Sequence, residues 1–458
     1  MSKPLATLVF DIGKTHVKLV VMSVSGERLF SVRRSNTVIL EGPYPHVDVE
    51  GIWAWFKDQA REVASRFTID RLAISTHGAC AALVDRRNTQ LLLPVLDYEF
   101  DGLPREPYDT IRPPFHETLS PNLPAGLNLG RQLFWLMGPL SDEERANLVI
   151  LPYPSYWAYR LTGLLACEVT SLGCHTDLWN PRDHTFSSMI RTLDIGAALP
   201  PIISPLEPLG KILPSLANEL GLSSDCLVMP GLHDSNAGYL PYLPPTGETP
   251  PTVISTGTWT ITMSAATDIG GLREHDDMLA NTDALGNPIA TARFMGGREF
   301  ETICELTDCD IATSCELSDV QSVVDAGIQA LPSFAAAGPY KDDTGSISAP
   351  PSNGKALANL YTALMIDDTL SRMQTTGDVI IEGSFAANIL LCEILAALRP
   401  KQRILRSLNS GGVVKGCALA SRWPGGHNQD DGLVLTVPAK IDALDRYAEE
   451  WQSQLTRK

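Results

Sequence analysis

Leu8-Val9-Phe10-Asp11-Ile12-Gly13-Lys14-Thr15-His16-Val17-Lys18-Leu19 and Val253-Ile254-Ser255-Thr256-Gly257-Thr258-Trp259-Thr260-Ile261-Thr262 are two versions of one pattern. In each, an apolar run reaches a glycine, turns beside hydroxyl residues and resumes with β alternation. A glycine turn lets the backbone come close to an anion, because no side chain stands in the way. Gly13, Lys14, Thr15 and Lys18 in the first turn, and Thr256, Gly257 and Thr258 in the second, are therefore candidate phosphate contacts. Two such turns in one chain predict two similar half-domains that grip one nucleotide. Gly13-Lys14-Thr15 is not the tail of a P-loop. That motif needs a glycine where Leu8 stands, and it needs a helix where Val17, Leu19 and Val21 read as a strand. Taken singly, each turn also reads as an ordinary hairpin.

The 458 residues suffice for two or three domains with substantial cores. With 44% hydrophobic and 19% charged residues, the composition is that of a globular protein. A formal net charge of −17 argues against nucleic acid or an anionic membrane as partner, since long-range repulsion opposes both. ATP is not excluded, because backbone donors and Mg²⁺ act locally. The start, Met1-Ser2-Lys3-Pro4, runs at once into a strand and lacks the apolar stretch of a signal peptide, and no later run is long enough to span a bilayer. Nine scattered cysteines, with Cys304, Cys309 and Cys315 as the only cluster and no CxxC pair, point to reduced thiols in a cytoplasmic protein, not to a metal site.

Up to about residue 85 strands alternate with a helix around Ile52, Trp53 and Phe56. Between Leu93 and Pro124, Pro104, Pro107, Pro113 and Pro114 exclude long helices and suggest an insertion of loops beside the substrate. Helical pattern returns at Gly130–Met137 and Tyr156–Leu161. The breaker-rich run Leu240–Gly247 marks the domain boundary, giving domains over 1–238 and 239–458. In the second half, Gly338–Gly354 reads as a flexible stretch, and a helix is predicted from Lys355 to about Met373. The strand Asp378–Glu382 meets Gly383-Ser384 before an apolar helix over Ala387–Leu398. Glycines at strand ends in a β/α alternation mean an α/β fold with ligands at the strand C-termini.

Met229-Pro230-Gly231-Leu232-His233-Asp234 is the sharpest single site. A strand ends, Gly231 turns the chain, and Asp234 stands where a helix begins. A carboxylate there can take a proton from a substrate hydroxyl, or it can simply cap the helix. Asp11, at the end of the first strand, either orients Mg²⁺ on a nucleotide or bonds its own turn. Gly296-Gly297 leaves room for a flat base after the strand Ala290–Phe294. His77-Gly78, after the strand ending at Ser75, reads as a polyol contact or as a structural histidine.

The order of these segments resembles the FGGY family of carbohydrate kinases. That family has an opening DxGTxxxR/K hairpin, a sugar loop, a central GxxDxxA segment, a GTS/GTW hairpin and a strand–GG–helix adenosine segment. Asp11-Ile12-Gly13-Lys14-Thr15 with Lys18, Gly231-Leu232-His233-Asp234-Ser235-Asn236-Ala237, Thr256-Gly257-Thr258-Trp259 and Glu382-Gly383-Ser384-Phe385-Ala386-Ala387-Asn388 match in order, from about residue 7 to about residue 425. Rhamnulokinase-like members are similar at Ile74–Asp85, where His77 stands for a tryptophan, at Tyr159-Arg160-Leu161-Thr162-Gly163 and at His233-Asp234. The chain departs from the pattern at Lys14, at Tyr98-Glu99, where an arginine–aspartate pair is expected, and at Ser384, where the pattern has a second glycine.

The resemblance implies two actin-like (ribonuclease H-like) α/β domains with an interdomain active-site cleft. It implies transfer of the ATP γ-phosphoryl group to a hydroxyl of a sugar, a ketose of the rhamnulose, fuculose or pentulose type. Asp234 would be the general base, Asp11 the Mg²⁺ contact, and His77, Gly78, His233 and Asp234 the sugar-facing residues. Gly383, Ser384 and Asn388 would flank adenosine. The resemblance leaves room for a homodimer. Two rival classes stand beside it, an actin-like ATPase without kinase activity and a catalytically silent sugar-binding regulator.

Overall fold

The computed structural model describes residues 3–244, 248–408, 411–425 and 432–455. Pro245, Thr246 and Gly247 of the breaker-rich run lie outside them. The chain forms two compact α/β units. The first comprises Met1–Pro241, Ala280–Pro288 and Gly411–Gln429, and the second comprises Tyr242–Leu279, Ile289–Ser410 and Asp430–Lys458.

In the first unit the opening hairpin forms as read. Leu5–Ile12 runs antiparallel to His16–Ser23, with Ile12 opposite Val17 and Asp11 opposite Lys18. The sheet order is Gly210–Lys211, Leu227–Val228, Thr68–Thr76, Leu5–Ile12, His16–Ser23 and Arg28–Ser35, and Leu232–His233 also pairs with Thr68–Thr76. Leu8, Val9, Phe10 and Ile12 are all buried, as a central strand covered on both faces requires. The edge strand Arg28–Ser35 alternates exposed with half-buried residues instead. Helix Val49–Arg66 is capped by Asp48, whose carboxylate accepts the Gly51 N–H at 2.9 Å. Its stripe of Ile52, Phe56, Ala60 and Val63 is buried, with the Phe56 ring 4.6 Å from that of Phe10. The proline-rich region contains only short helical turns, Tyr108–Ile111 and Phe115–Thr118, as its composition predicted.

The second unit repeats the plan. Thr252–Thr256 pairs antiparallel with Thr260–Ser264 and parallel with Val379–Gly383. Its sheet order is Met278–Thr282, Pro288–Phe294, Thr260–Ser264, Thr252–Thr256, Val379–Gly383, Ile404–Ser407 and Leu433–Leu435. Helix Gly354–Arg372 is buried nearly all round, so its apolar residues show no single stripe. The Gly338–Gly354 stretch is tied down at its start, where Gly338 N donates to Asp277 at 3.2 Å and Tyr340 OH to Asp368 at 2.9 Å. Past Gly383 the chain makes a 3-10 turn, Ser384–Ala387, before the helix Ile389–Leu398 that the sequence began at Ala387.

The two units do not meet at a single cut after Gly238. Helix Gly412–Ala420, read as part of the second domain, belongs to the first unit. It packs on helix Asp234–Tyr239 so tightly that a Cβ at Gly416 would stand 1.7 Å from the Ala237 carbonyl oxygen. Arg422 then pairs with Asp70 at 2.6 Å. Among the described residues no helix is long and apolar enough to cross a membrane. Gly416→Ala is expected to push the two helices apart and destabilise the first unit by roughly 1–3 kcal/mol. Chemical denaturation checks this, and an unchanged midpoint would contradict the close contact.

Candidate active site

The strand ends of the first unit gather Asp11, His77, His233 and Asp234. Asp11 is opposite Ser75 and Ile12 opposite Thr76 in the parallel pair, while Leu232 and His233 also register with Ser75 and Thr76. His77 continues past Thr76, its N–H donating to Ile12 O at 3.0 Å. Gly231, with φ +99°, makes the turn into Leu232–His233, and a Cβ there would meet Pro154 at 2.6 Å.

Asp234 is the first residue of helix Asp234–Tyr239, one place beyond the cap position, which His233 holds. Its Oδ1 accepts the Ser235 N–H at 2.7 Å and faces His233 Nε2 at 3.3 Å. Among the described residues Oδ2 has no hydrogen-bond partner. A helix-capping role is thereby weakened, because Asp234 reaches only its neighbour's N–H and not the amides two or three residues on. The side chain keeps 31% exposure. Removal from water raises its pKa, and attraction to positive charge at His77, the Ser235 hydrogen bonds and the Lys18 ammonium oppose the rise.

His233 is held neutral. Asn236 Nδ2 donates to its Nδ1 at 3.1 Å, leaving Nε2 to carry the proton toward Asp234. Burial lowers its pKa to about 4. Its backbone N–H donates to Thr170 Oγ1 at 2.9 Å. Gly78 makes room for the ring, since a Cβ there would stand 2.7 Å from Nε2. Gly78 and the His233 ring thus lie side by side. The buried His77 ring lies 5.3 Å from both Tyr98 and Tyr153, and its Nδ1 faces Gly78 O at 3.0 Å. Burial lowers its pKa too, against a rise from the Gly78 bond and from Asp234.

The first glycine turn differs from its reading. Gly13 and Gly257 both lack left-handed φ, so neither turn depends on glycine for its backbone angles. Gly13 N bonds His16 O at 3.0 Å, and Asn36, which the sequence did not single out, holds the turn through Nδ2 to Gly13 O at 2.9 Å. Thr15 is exposed. Lys14, expected on phosphate, instead pairs with Asp97 and with Glu99 at 3.1 Å. Lys18 pairs with Asp11 at 3.1 Å. The buried Asp11 has its pKa raised by burial, with Lys18 opposing and Asp234 adding to the rise.

The second unit contains a cavity of about 920 Å³, within the size range of small-ligand sites. Gly257, Thr258, Gly297, Ser384 and Asn388 line it, together with Phe300, Lys355, Asn359 and Glu393, which the sequence did not single out. Thr256, Gly296 and Gly383 build the wall instead. Thr256 Oγ1 donates to Glu382 O and accepts the Phe385 N–H at 2.9 Å, so its hydroxyl is spent on the fold. Gly383 has φ +83° and passes so close that a Cβ would stand 2.0 Å from Thr256 O. At Gly296 a Cβ would meet Thr260 Oγ1 at 2.3 Å, and at Gly297 the Gly257 carbonyl at 2.1 Å. Asn388 accepts the Leu391 N–H at 3.3 Å and donates to Asn359 at 2.7 Å.

Residues 248–429 match the family model of the FGGY carbohydrate kinase C-terminal domain. The chain is 35% identical to a crystallised carbohydrate kinase from Novosphingobium aromaticivorans, with a TM-score of 0.90 over 98% of this chain and 99% of that one. A xylulose kinase from Lactobacillus acidophilus, 15% identical, shares the fold at a TM-score of 0.79 over 99% of this chain and 96% of that one. A probable L-xylulose kinase from Pasteurella multocida is 26% identical over 49% of this chain and 49% of its own length. The chain thus spans about half the length of the curated relative it matches. The two-unit actin-like fold is that of these structures. The narrower rhamnulokinase likeness read from Ile74–Asp85 finds no support in these matches.

The lowered His233 pKa sets a sign for stability. Unfolded, the imidazole protonates near 6.5, whereas folded it resists protonation until about pH 4. The unfolded state therefore binds more protons between those values, and the stability that His233 contributes is lost as pH falls through this window. The stability lost between pH 7 and pH 5 is expected to be smaller in His233→Gln than in the parent. Equal losses by denaturant titration would show that His233 is not buried neutral. The slope does not vanish in the variant, because His77 acts in the same direction.

Proposed function

The chain belongs to the FGGY family of carbohydrate kinases, and on that footing we propose that it transfers the γ-phosphoryl group of ATP to a hydroxyl of a sugar, with a ketose as the acceptor class. The observation that carries the reading is Asp234, a partly exposed carboxylate with one oxygen anchored and the other open. The xylulose kinase names among the relatives support the ketose.

In this mechanism the sugar hydroxyl approaches the γ-phosphorus in line with the leaving oxygen of ADP. Asp234 accepts the hydroxyl proton as the new O–P bond forms and the bond to the β-phosphate oxygen breaks. Phosphoryl transfer depends mainly on positioning and electrostatics, so the protein's task is to hold both partners. His77, Gly78 and His233 orient the sugar beside Asp234. Gly257, Thr258, Gly297, Ser384 and Asn388 hold the nucleotide. Lys14 and Thr256 are left out of the phosphate contacts, because both are engaged elsewhere.

Mg²⁺ fits this donor set in a limited way. No cluster of three or more metal-ligating side chains exists among the described residues. Mg²⁺ commonly binds through one or two carboxylates, with phosphates and water completing its shell, and Asp11 would be the carboxylate here. The ion, when bound with the nucleotide, supplies charge neutralisation on the phosphates.

Asp234→Asn keeps the helix start but removes the base. It is expected to hold the melting temperature within a few degrees while cutting kcat by roughly 10²–10⁴-fold. Turnover near the parent rate in a normally melting variant would overturn the role. Gly257→Val provides an independent test of the nucleotide site. Nothing but its chain neighbours lies within 4 Å of a Cβ placed there, and an unchanged melting temperature is the control for folding. A rise in the KM for ATP then reads as crowding of the nucleotide, and unchanged kinetics would remove this turn from the site.

A further inference from the structure

Two of the chain's departures from the family pattern, Lys14 and Tyr98-Glu99, meet in space. Lys14 Nζ sits between Asp97 and Glu99 and stands 5.0 Å over the Tyr98 ring. The Tyr98 ring also meets the His77 ring, edge-on at 5.3 Å. Asp97 is buried, and its backbone N–H is anchored on Pro45 O at 3.0 Å, so the loop that holds the ammonium is itself held. Lys14, Asp97 and Asp234 all act on the charge state of His77. Lysine, loop and base therefore belong to one electrostatic neighbourhood, the one that the proposed function assigns to the sugar.

The charges in that neighbourhood do not balance. Among the described residues that these pairs and fields bring together, the carboxylates are Asp11, Asp97, Glu99 and Asp234, and the cations are Lys14 and Lys18. Each lysine is already on a carboxylate, and the two histidines are disfavoured as cations. A sugar acid entering here would bring another negative charge to a place where, among the described residues, each lysine already has a carboxylate. A neutral polyhydroxyl compound brings no charge and can hydrogen-bond to the carboxylates, the histidines and the paired lysines alike.

We propose that Asp97 and Glu99 mask Lys14, and that this masked lysine makes the acceptor site select uncharged sugars and polyols over sugar acids. The proposal rests on the kinase reading and concerns which acceptor it takes. Freed of its carboxylates, Lys14 would present an ammonium on the Tyr98 ring that meets His77, and could pair with the carboxylate of an aldonate. The selectivity is thus a property of a cluster that unites the first turn with the 97–99 loop.

The test is a coupled ADP-release assay with D-xylulose, L-rhamnulose and glycerol as neutral acceptors and D-gluconate as the acid. The parent enzyme is expected to favour a neutral acceptor. In Asp97→Asn/Glu99→Gln the ratio of kcat/KM for gluconate to that for the best neutral acceptor should rise by about tenfold or more, and the gain should shrink with added salt. Adding Lys14→Met should cancel the gain, since it acts through the ammonium. Glu99→Gln alone, at a side chain 63% exposed and so safe for folding, should give a smaller rise. A parent preference for gluconate, or an unchanged ratio in both Glu99→Gln and the double variant, overturns the masking. Absence of turnover with every acceptor instead overturns the kinase reading, and the masking proposal with it.

Discussion

The parallel pairing of Thr68–Thr76 along both of its edges is the constraint from which the first unit's site follows. On one side it fixes Asp11 against Ser75, and on the other it fixes His233 against Thr76. Parallel strands end together, so Asp11, His77, His233 and Asp234 arrive at one edge of the sheet from positions far apart in the chain. A one-residue slip in either pairing would turn the side chains to the opposite face. The helices enforce the register from outside, with Phe56 and Trp157 against Phe10 on the strand that carries Asp11.

That edge collects charge in a setting where charge is expensive. Burial raises the pKa values of Asp11 and Asp234 and lowers those of His77 and His233. The shifts have a common cause, loss of water, and opposite signs, because one pair loses a negative charge and the other a positive one. A carboxylate raised in this way is more basic than a free one, which favours it as a proton acceptor. Neutral histidines beside it can donate and accept hydrogen bonds without neutralising it. The second unit solves a different problem, how to bring backbone close to a ligand, and does so with glycines whose missing Cβ atoms would strike carbonyl oxygens at Gly297 and Gly383.

Local pattern carried much of this. The hairpins at Gly13 and Gly257, the Gly231 turn and the start of a helix at Asp234 were all legible, because each is decided by residues adjacent in sequence. What was misread depended on distant partners. Lys14 looked like a phosphate contact until Asp97 and Glu99, more than eighty positions away, were seen to hold it. Thr256 looked like a donor to ligand, but Glu382 and Phe385 take its hydroxyl. Helix Gly412–Ala420 reads in sequence as part of the second half, whereas the Gly416 approach to Ala237 shows where it packs. Asn236 had a usable signal, since it lies three residues after His233, the spacing that brings helical side chains together. Asn36 and Thr170 had none, being single polar residues in unremarkable surroundings.

The central claim is that nucleotide turnover in this protein is phosphoryl transfer to a sugar. The direct measurement is ³¹P NMR of the purified protein with ATP, Mg²⁺ and a ketose panel, run beside a sample without acceptor. The account expects ADP to appear together with an equal amount of sugar phosphate, and almost none without the acceptor. Steady release of inorganic phosphate that is indifferent to sugar would contradict it and leave an ATPase in its place.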